Sequence, residues 1–549
     1  MATRFVGLPI LVLLLGCGSD REGAQTSKET TPNREIRLLS PLENAVVRSA
    51  FRAEAEVKGD TGVEVRFLLD GVEKARVSSP PYAADIDVSS APGGRRILTV
   101  VATDPIGREN AAFLPVRVVA RIAPQPLPGN WAFYATFASS YQRMVSNRYG
   151  IFATFLHPDP NETNLRGSWT LQRSVDGGAT FTPILSGPDD KAPAVETDPE
   201  GTIYLLVNPP IVDTSVAESA FYRLAPEFDF KGPIIRKPIP RMRAIAKMTM
   251  LYDPERKQIY AASGGGTSHF AVLDQNGELI HGPVRMVRMG TNEFGVKGPF
   301  VDIPVLSLSN TGDLVYGWSS GFSSRIDHDN CGEARHVRVS VHMVLSTDGG
   351  VTWRTPLGNP IPTDLETQEV SEPPIYTDGS YPETVNLPEE WNFDPFFESI
   401  FARGSRLHLA YRSLPVVGER QYYVRFTSSP ETGAWVEDRR ISPEWAATQN
   451  SIDVVFSEAD SHGFFVSDGE DPNSTIFFAG RSRENRIVVI GSDDDGDTWY
   501  DVAESDILDE RYYFIGGCRR LTSDGCIIGA YTDRKPRPYR VKFFKIRVK

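Results

Sequence analysis

An all-β chain, built as a small sandwich followed by a ring of repeated antiparallel sheets, is predicted by three observations. From Ile36 to Arg121 the text runs in short alternating apolar segments such as "FRAEAEV", "VEVRFLLDG", "RRILTVVATD" and "FLPVRVVA", broken by Gly, Asp and Pro, the pattern of half-buried strands and turns. Beyond residue 131 a strand unit recurs, beginning at residues 149, 201, 257, 312, 405, 462 and 525 ("YGIFATFL", "GTIYLLVN", "KQIYAASG", "GDLVYGWS", "SRLHLAYR", "HGFFVSDG", "GCIIGAYT"). The spacing is near-constant apart from one long gap before 405, which marks a repeat architecture. Third, one octet occurs three times, as "SVDGGATF" at 174–181, "STDGGVTW" at 346–353 and "SDDDGDTW" at 492–499.

The octets share Ser-x-Asp-x-Gly-x-Thr-aromatic, carried by Ser174/Asp176/Gly178/Thr180/Phe181, Ser346/Asp348/Gly350/Thr352/Trp353 and Ser492/Asp494/Gly496/Thr498/Trp499. Such an octet suits a hairpin turn: the carboxylate accepts from nearby backbone N–H groups, the glycine supplies positive φ, and the aromatic ring packs beneath. The third copy, with four carboxylates, does not fit a calcium loop, because placing Gly496 at position 6 puts Gly491 at position 1 and Val502 at position 12. The octet resembles the Asp-box, or BNR repeat, of the sialidase-like β-propellers. That resemblance implies a six- or seven-bladed propeller over 131–549, with seven favoured by the repeat count, and implies that Asp176, Asp348 and Asp494 are structural.

Taken in chain order, residues 1–16 read as an export signal: Arg4, an apolar run from Phe5 to Leu15, then Gly16 and Cys17. The run is too short for a spanning helix. "LLGC" resembles the bacterial lipobox, which implies cleavage before Cys17 and lipidation of its thiol. Gly18 then favours, by resemblance to lipoprotein sorting, the outer membrane as the place of anchorage, on its periplasmic or surface side. Residues 17–34 lack apolar periodicity and read as a disordered tether. Residues 35–121 resemble bacterial Ig-like domains, a spacer in the simplest reading. "APQPLPGN" makes 122–130 a linker. The final strand "YRVKFFKIRV" needs an early partner to close the ring, and "WAFYATF" at 131–137 is the expected one. The long gap holds the proline-rich, acidic stretch from Thr355 to Trp391, expected as a flap over one propeller face.

The net charge of −13 argues against nucleic acid or an anionic membrane surface as partner. With eight His and no HExxH or CxxC spacing, no metal or other cofactor is expected. "RIDHDNCGEARH" at 325–336 has metal-ligand residue types, but its spacing matches no known cage and it reads as a solvated polar loop. Besides Cys17, three cysteines remain; Cys518 and Cys526 flank a strand–turn–strand stretch and form the candidate disulfide, while Cys331 has no local partner.

The family resemblance implies where chemistry would sit. Sialidases clamp a substrate carboxylate with three arginines, whose planar forks match it, and use a Tyr/Glu pair as nucleophile and an Asp as acid/base, an exception to the usual carboxylate nucleophile. Carried over residue by residue, "YQRMV" offers Arg143, although Met144 and Val145 replace the family's Ile-Pro. "HPDPNETN" offers Asp159 as the acid, "FESIFARGSRLHLAYRS" offers Glu398 and Arg412, and "RSRENRI" offers Arg483. In the last blade the expected tyrosine position falls on Gly516, with Tyr512 and Tyr513 three or four residues earlier, so the phenol needs a bulge to reach the pocket face. The reading is therefore an exported lipoprotein whose propeller binds a carbohydrate, with hydrolysis of that carbohydrate left open. A non-catalytic scaffold for an envelope protein is the alternative, and an exo-sialidase with a displaced tyrosine the third.

Overall fold

The structure, a computed structural model, describes residues 35–549 except 60–61, 130, 133–134, 137–141, 159–166, 189–191, 209–217, 243–246, 265–267, 288–289, 292–296, 325–334, 362, 365–368, 371–395, 414–419, 430, 442–462, 468–473, 483, 509–511 and 534–538. Cys17, Asp159, Cys331 and Arg483, and with them the signal, the tether and most of the acidic stretch, lie outside the described residues. Apart from one 3₁₀ turn at Pro226–Phe228, every regular element described is a strand.

Residues 36–118 form two facing sheets. One holds Ile36–Ser40, Ala50–Val57 and Tyr82–Asp87; the other runs Val46–Val47, Glu109–Val118, Gly94–Thr103, Glu64–Leu69 and Val72–Val77. Alternation sets the core: in "EVRFLL" Val65, Phe67 and Leu69 point inward, and they meet Leu98, Val100 and Val116 from neighbouring strands.

Among the described residues, the rest of the chain builds seven largely antiparallel sheets, each of at least four strands taken mostly in sequence order. Their innermost long strands are Met144–Asn147, Ala194–Thr197, Lys247–Asp253, Lys297–Leu308, Phe396–Arg403, Phe464–Ser467 and Tyr512–Gly517. Each packs against the next, Ser467 bridges to Arg520, and the seventh returns to the first, so the sheets stand as blades around a central channel. Six of the seven recurring segments are the second strands of their blades. "HGFFVSDG" differs: it carries the first strand of the sixth blade, whose second strand is Ile476–Arg481.

Ring closure departs from expectation. Gln125–Pro126, not 131–137, adds to the outermost strand Val541–Arg547 of the seventh blade, and among the described residues of the expected segment Trp131 alone bridges, to Tyr539. Ala120–Ile122 pairs in parallel with Tyr500–Ser505 of the sixth blade. The stretch expected as a linker is thus built into two blades, where prolines are tolerated because an outermost strand leaves one row of N–H groups unpaired. The sandwich itself rests on the same blades: Gly93 N donates to Arg547 O at 3.0 Å, Arg96 Nη2 to Val548 O at 2.6 Å, and Arg48 pairs with Glu504 at 2.8 Å. Within the acidic stretch, Thr363–Asp364 and Glu369–Val370 pair with one another and extend the third blade beside Arg285.

The three octets share one geometry. In the first, Ser174 Oγ donates to Asp176 Oδ1 at 2.7 Å, Gly178 N donates to Ser174 Oγ at 2.8 Å, and Thr180 N donates to Asp176 Oδ1 at 2.9 Å; the second and third repeat these bonds. The Thr180 hydroxyl and amide, with Ser174, hold the Asp176 carboxyl far below the usual range. The aromatic residue and second glycine do more than pack under their own turn. Phe181 and Gly178 meet Phe543 of the seventh blade, Trp353 and Gly350 meet Phe270 of the third, and Trp499 and Gly496 meet Tyr423 of the fifth. Every box therefore fastens its blade to the preceding one.

Candidate functional site

A blade's first strand leads inward along the channel, so residues at its start share one face of the ring and residues at its end share the other. Arg143 immediately precedes the first inner strand, Glu398 is third in the fifth, and Tyr512 and Tyr513 begin the seventh. Arg412, near the end of the antiparallel second strand of the fifth blade, stands opposite Phe396. The topology thus brings these positions to one face, the one where the inner strands begin.

Their surroundings differ. Arg143 is buried, and its Nη1 donates to the carbonyls of Ala192 and, at 2.9 Å, Pro193; Thr154 Oγ1 also donates to Pro193 O at 2.7 Å. The guanidinium therefore braces the first blade against the chain entering the second. Glu398 is completely buried, and Gly463 N lies 3.4 Å from its Oε2. Pairing runs Phe397 to Tyr411 and then Ser399 to Ala410, which leaves Glu398 as the extra residue of a β-bulge. Bulges re-aim a side chain, and a carboxyl carried out of water needs donors around it.

A second irregularity lies in the seventh blade. Tyr513 pairs with Thr532 and Gly516 with Ala530, three residues on one strand against two on the other. One residue is bulged between them, so position 513, rather than 512, is in phase with 516. The bulge lies ahead of the glycine pair, since Gly516 and Gly517 themselves pair with Ala530 and Gly529.

Deeper in the channel stands a group that sequence reasoning missed. Arg519 leaves the seventh blade and reaches the opposite side of the ring, where Nη1 donates to Leu306 O of the fourth blade at 2.9 Å and Nη2 to Thr249 Oγ1 of the third at 3.4 Å. Gln142 Nε2 donates to Glu196 Oε2 at 2.5 Å between the first and second blades. Burial pushes the Glu196 carboxyl above its usual range, against the pull of the Thr197 amide, Gln142 and Arg519. Burial likewise lowers Arg519, against the pull of Glu196. A ring of seven blades leaves an axis wide enough for a long side chain to cross it, and Arg519 does so. In sequence its only sign is the Arg519-Arg520 pair directly after the last inner strand.

The cysteine expectation is corrected: Cys518 and Cys526 are both free and buried. After Cys518 the chain swings to the sixth blade, where Ser467 N donates to Arg519 O at 3.0 Å and Leu521 N to Ser467 O at 3.1 Å. Cys518 thereby packs with Met144 and Ile528, whereas Cys526 is held at the turn by Thr522 Oγ1 at 2.9 Å. The two thiols belong to different surroundings, and the expected hairpin is not a regular one.

The four carboxylates of the third octet have separate tasks. Asp494 is the box acid, and Asp493 accepts from Thr475 Oγ1 and Tyr500 Oη at 2.8 Å and lies 3.5 Å from Arg95 of the sandwich. Asp495 meets Arg403 at 2.5 Å, Arg406 at 3.1 Å and His408 at 3.2 Å, all on the fifth blade. Asp497 accepts from Arg425 at 2.9 Å. These acids fasten the sixth blade to its neighbours.

No family model matches the chain, and no curated protein matches it. Among solved structures, a protein of unknown function from Dyadobacter fermentans is similar at 13% identity and a TM-score of 0.39, over 78% of this chain and 99% of that one. The α-L-arabinofuranosidase of Fusarium graminearum is similar at 10% identity and a TM-score of 0.40, over 78% and 98%. The sialidase of Trypanosoma rangeli is similar at 14% identity and a TM-score of 0.37, over 81% of this chain and 56% of its own length. At these values the similarity fixes no residue's role here.

Proposed function

We propose that the propeller binds a carbohydrate on the face where its inner strands begin, with Glu398 and Arg412 at the centre of the site. The observation that carries this is the bulge at Glu398: a wholly buried carboxyl, turned out of strand register on an inner strand, next to the strand that holds Arg412. An arginine fork suits a carboxylate-bearing sugar, and a buried carboxyl suits hydroxyl recognition or proton transfer. The bulge between Tyr513 and Gly516 favours a second, hydrolytic reading, because it restores the phase that a displaced tyrosine would need.

Lipidation of Cys17 and anchorage to the outer membrane belong to the same proposal and rest on the sequence of the first eighteen residues alone. Metabolic labelling with a palmitate analogue, lost in Cys17→Ser, tests that part separately.

The deciding experiment is a glycan panel of sialosides, sulfated sugars and neutral sugars, read for binding and hydrolysis together. Arg412→Ala and Glu398→Gln are expected to abolish binding of an acidic glycan with the unfolding midpoint retained in Arg412→Ala. Turnover of a sialoside, lost in Tyr513→Phe, supports the hydrolytic reading. Unchanged affinity in both variants removes the site, and silence on every sugar moves the function to an envelope-protein partner.

A further inference from the structure

The geometry points to a second binding site, on the opposite face of the ring, for a small carboxylic acid with an apolar body. A cavity of about 250 Å³ opens among the trailing ends of the inner strands of the third to seventh blades. Arg403, on its wall, follows Glu398 by five residues along one strand, a separation of about 16 Å at 3.3 Å per residue. The wall reaches back along that strand to Ile400, two residues beyond Glu398, while its arginines stand at the trailing ends of the strands, on the face that carries the Asp-boxes.

Its chemistry is lopsided. Leu251, Leu308, Phe401 and Phe465 give it apolar surface beside the polar Ser307, Asn310 and Ser467, and its lining residues include three arginines and no carboxylate. Two of these are committed: Arg403 to Asp495 and Ser474, and Arg519 to Leu306 O and Thr249. The third, Arg520, is exposed at the rim, and among the described residues no hydrogen bond or ion pair holds its guanidinium. Its backbone is fixed by the bridge to Ser467, so the side chain projects from a rigid base.

A partly apolar pocket with an exposed guanidinium at its edge suits a ligand that offers a single anionic head and a hydrophobic body. The volume lies below the range of drug-sized pockets, which limits the body to about one ring or a short branched chain. The arginines beside it discourage a cationic ligand.

Phenylacetate is the probe of choice, titrated calorimetrically into the purified protein, with inorganic phosphate and benzyl alcohol as controls for head and body alone. The expected result is saturable binding of phenylacetate that weakens at least 10-fold in Arg520→Ala, persists in Arg412→Ala, and exceeds that of either control by a similar factor. Arg520 is exposed, so the variant should retain its unfolding midpoint, and a preserved near-ultraviolet circular dichroism spectrum checks that it does. No binding of phenylacetate, equal binding in Arg520→Ala, or phosphate binding as tightly as phenylacetate would overturn the proposal.

Discussion

Asp495, 19% exposed, joins the fifth and sixth blades through partners that are almost wholly buried, and replacing it tests how that seam is held. In Asp495→Ala, Arg403 and His408, with side chains 2% and 0% exposed, lose the carboxylate they share. Removing one partner from a buried pair leaves an uncompensated charge and costs about 3–5 kcal/mol. Asp497→Ala is the control: its carboxylate is 49% exposed, and loss of such a pair costs at most about 1 kcal/mol. The assay is urea unfolding followed by hydrogen exchange of the Phe396–Arg403 and Ile476–Arg481 strands, since a two-unit chain need not unfold in one step. The same carboxyl sets an acid limit. Burial opposes its ionised form, but the hydrogen bond from His408 and the charge of Arg403 outweigh it and bring it to about 2, against an ordinary 3.8. A depressed folded value contributes stability above the unfolded one, and that contribution is lost as pH falls from about 4 to about 2. Burial also lowers His408 below 6.5, so protonation of the unfolded chain erodes stability from about pH 6.5 downward. If Asp495→Ala costs no more than Asp497→Ala, the seam is not held by this network.

Three further outcomes follow from single positions. Gly350→Ala sets a Cβ 2.3 Å from the Phe270 ring at a φ of +91°, and should lower the unfolding midpoint by more than Gly358→Ala, where φ is +87° but the nearest atom is 3.7 Å away. Gly93→Ala drives a Cβ to 2.1 Å from Val502 O and should detach the sandwich from the sixth blade, which limited proteolysis between residues 119 and 131 would detect. Glu196→Gln removes a carboxyl whose folded value is raised by burial, a group whose contribution is present at low pH and lost as pH rises through that value. The variant should therefore be more stable than the parent at pH 8 and unchanged at pH 4, by thermal unfolding.

The fold was legible because its signals are local. Alternation in "EVRFLL" fixes which side chains enter the sandwich core, and the Ser-x-Asp-x-Gly-x-Thr pattern encodes its own hydrogen bonds, so each octet announces a turn without reference to the rest of the chain. Ring closure was misplaced for the opposite reason. Gln125–Pro126 carries no strand propensity and is recruited by the edge of Val541–Arg547, more than four hundred residues away. The same holds for the cysteines, whose proximity in sequence suggested a hairpin that the pull of the sixth blade on Arg519 and Leu521 distorts. Glu398 and Arg412 were singled out by the family resemblance, whereas the bulge at Glu398 is a property of the strand pairing and not of either strand.

Arg519 shows how far such reasoning reaches. As text it is one cation of a polar pair beside a turn, indistinguishable from a solvated charge. In the ring it crosses the axis to the third and fourth blades and faces the acid at Glu196. A guanidinium carried into the channel needs acceptors, and the carbonyl of Leu306 and the hydroxyl of Thr249 supply them. Those acceptors come from blades that precede it by more than two hundred residues, so the crossing completes only when the ring closes. The side chain that crosses the channel is thus also one whose contacts depend on closure.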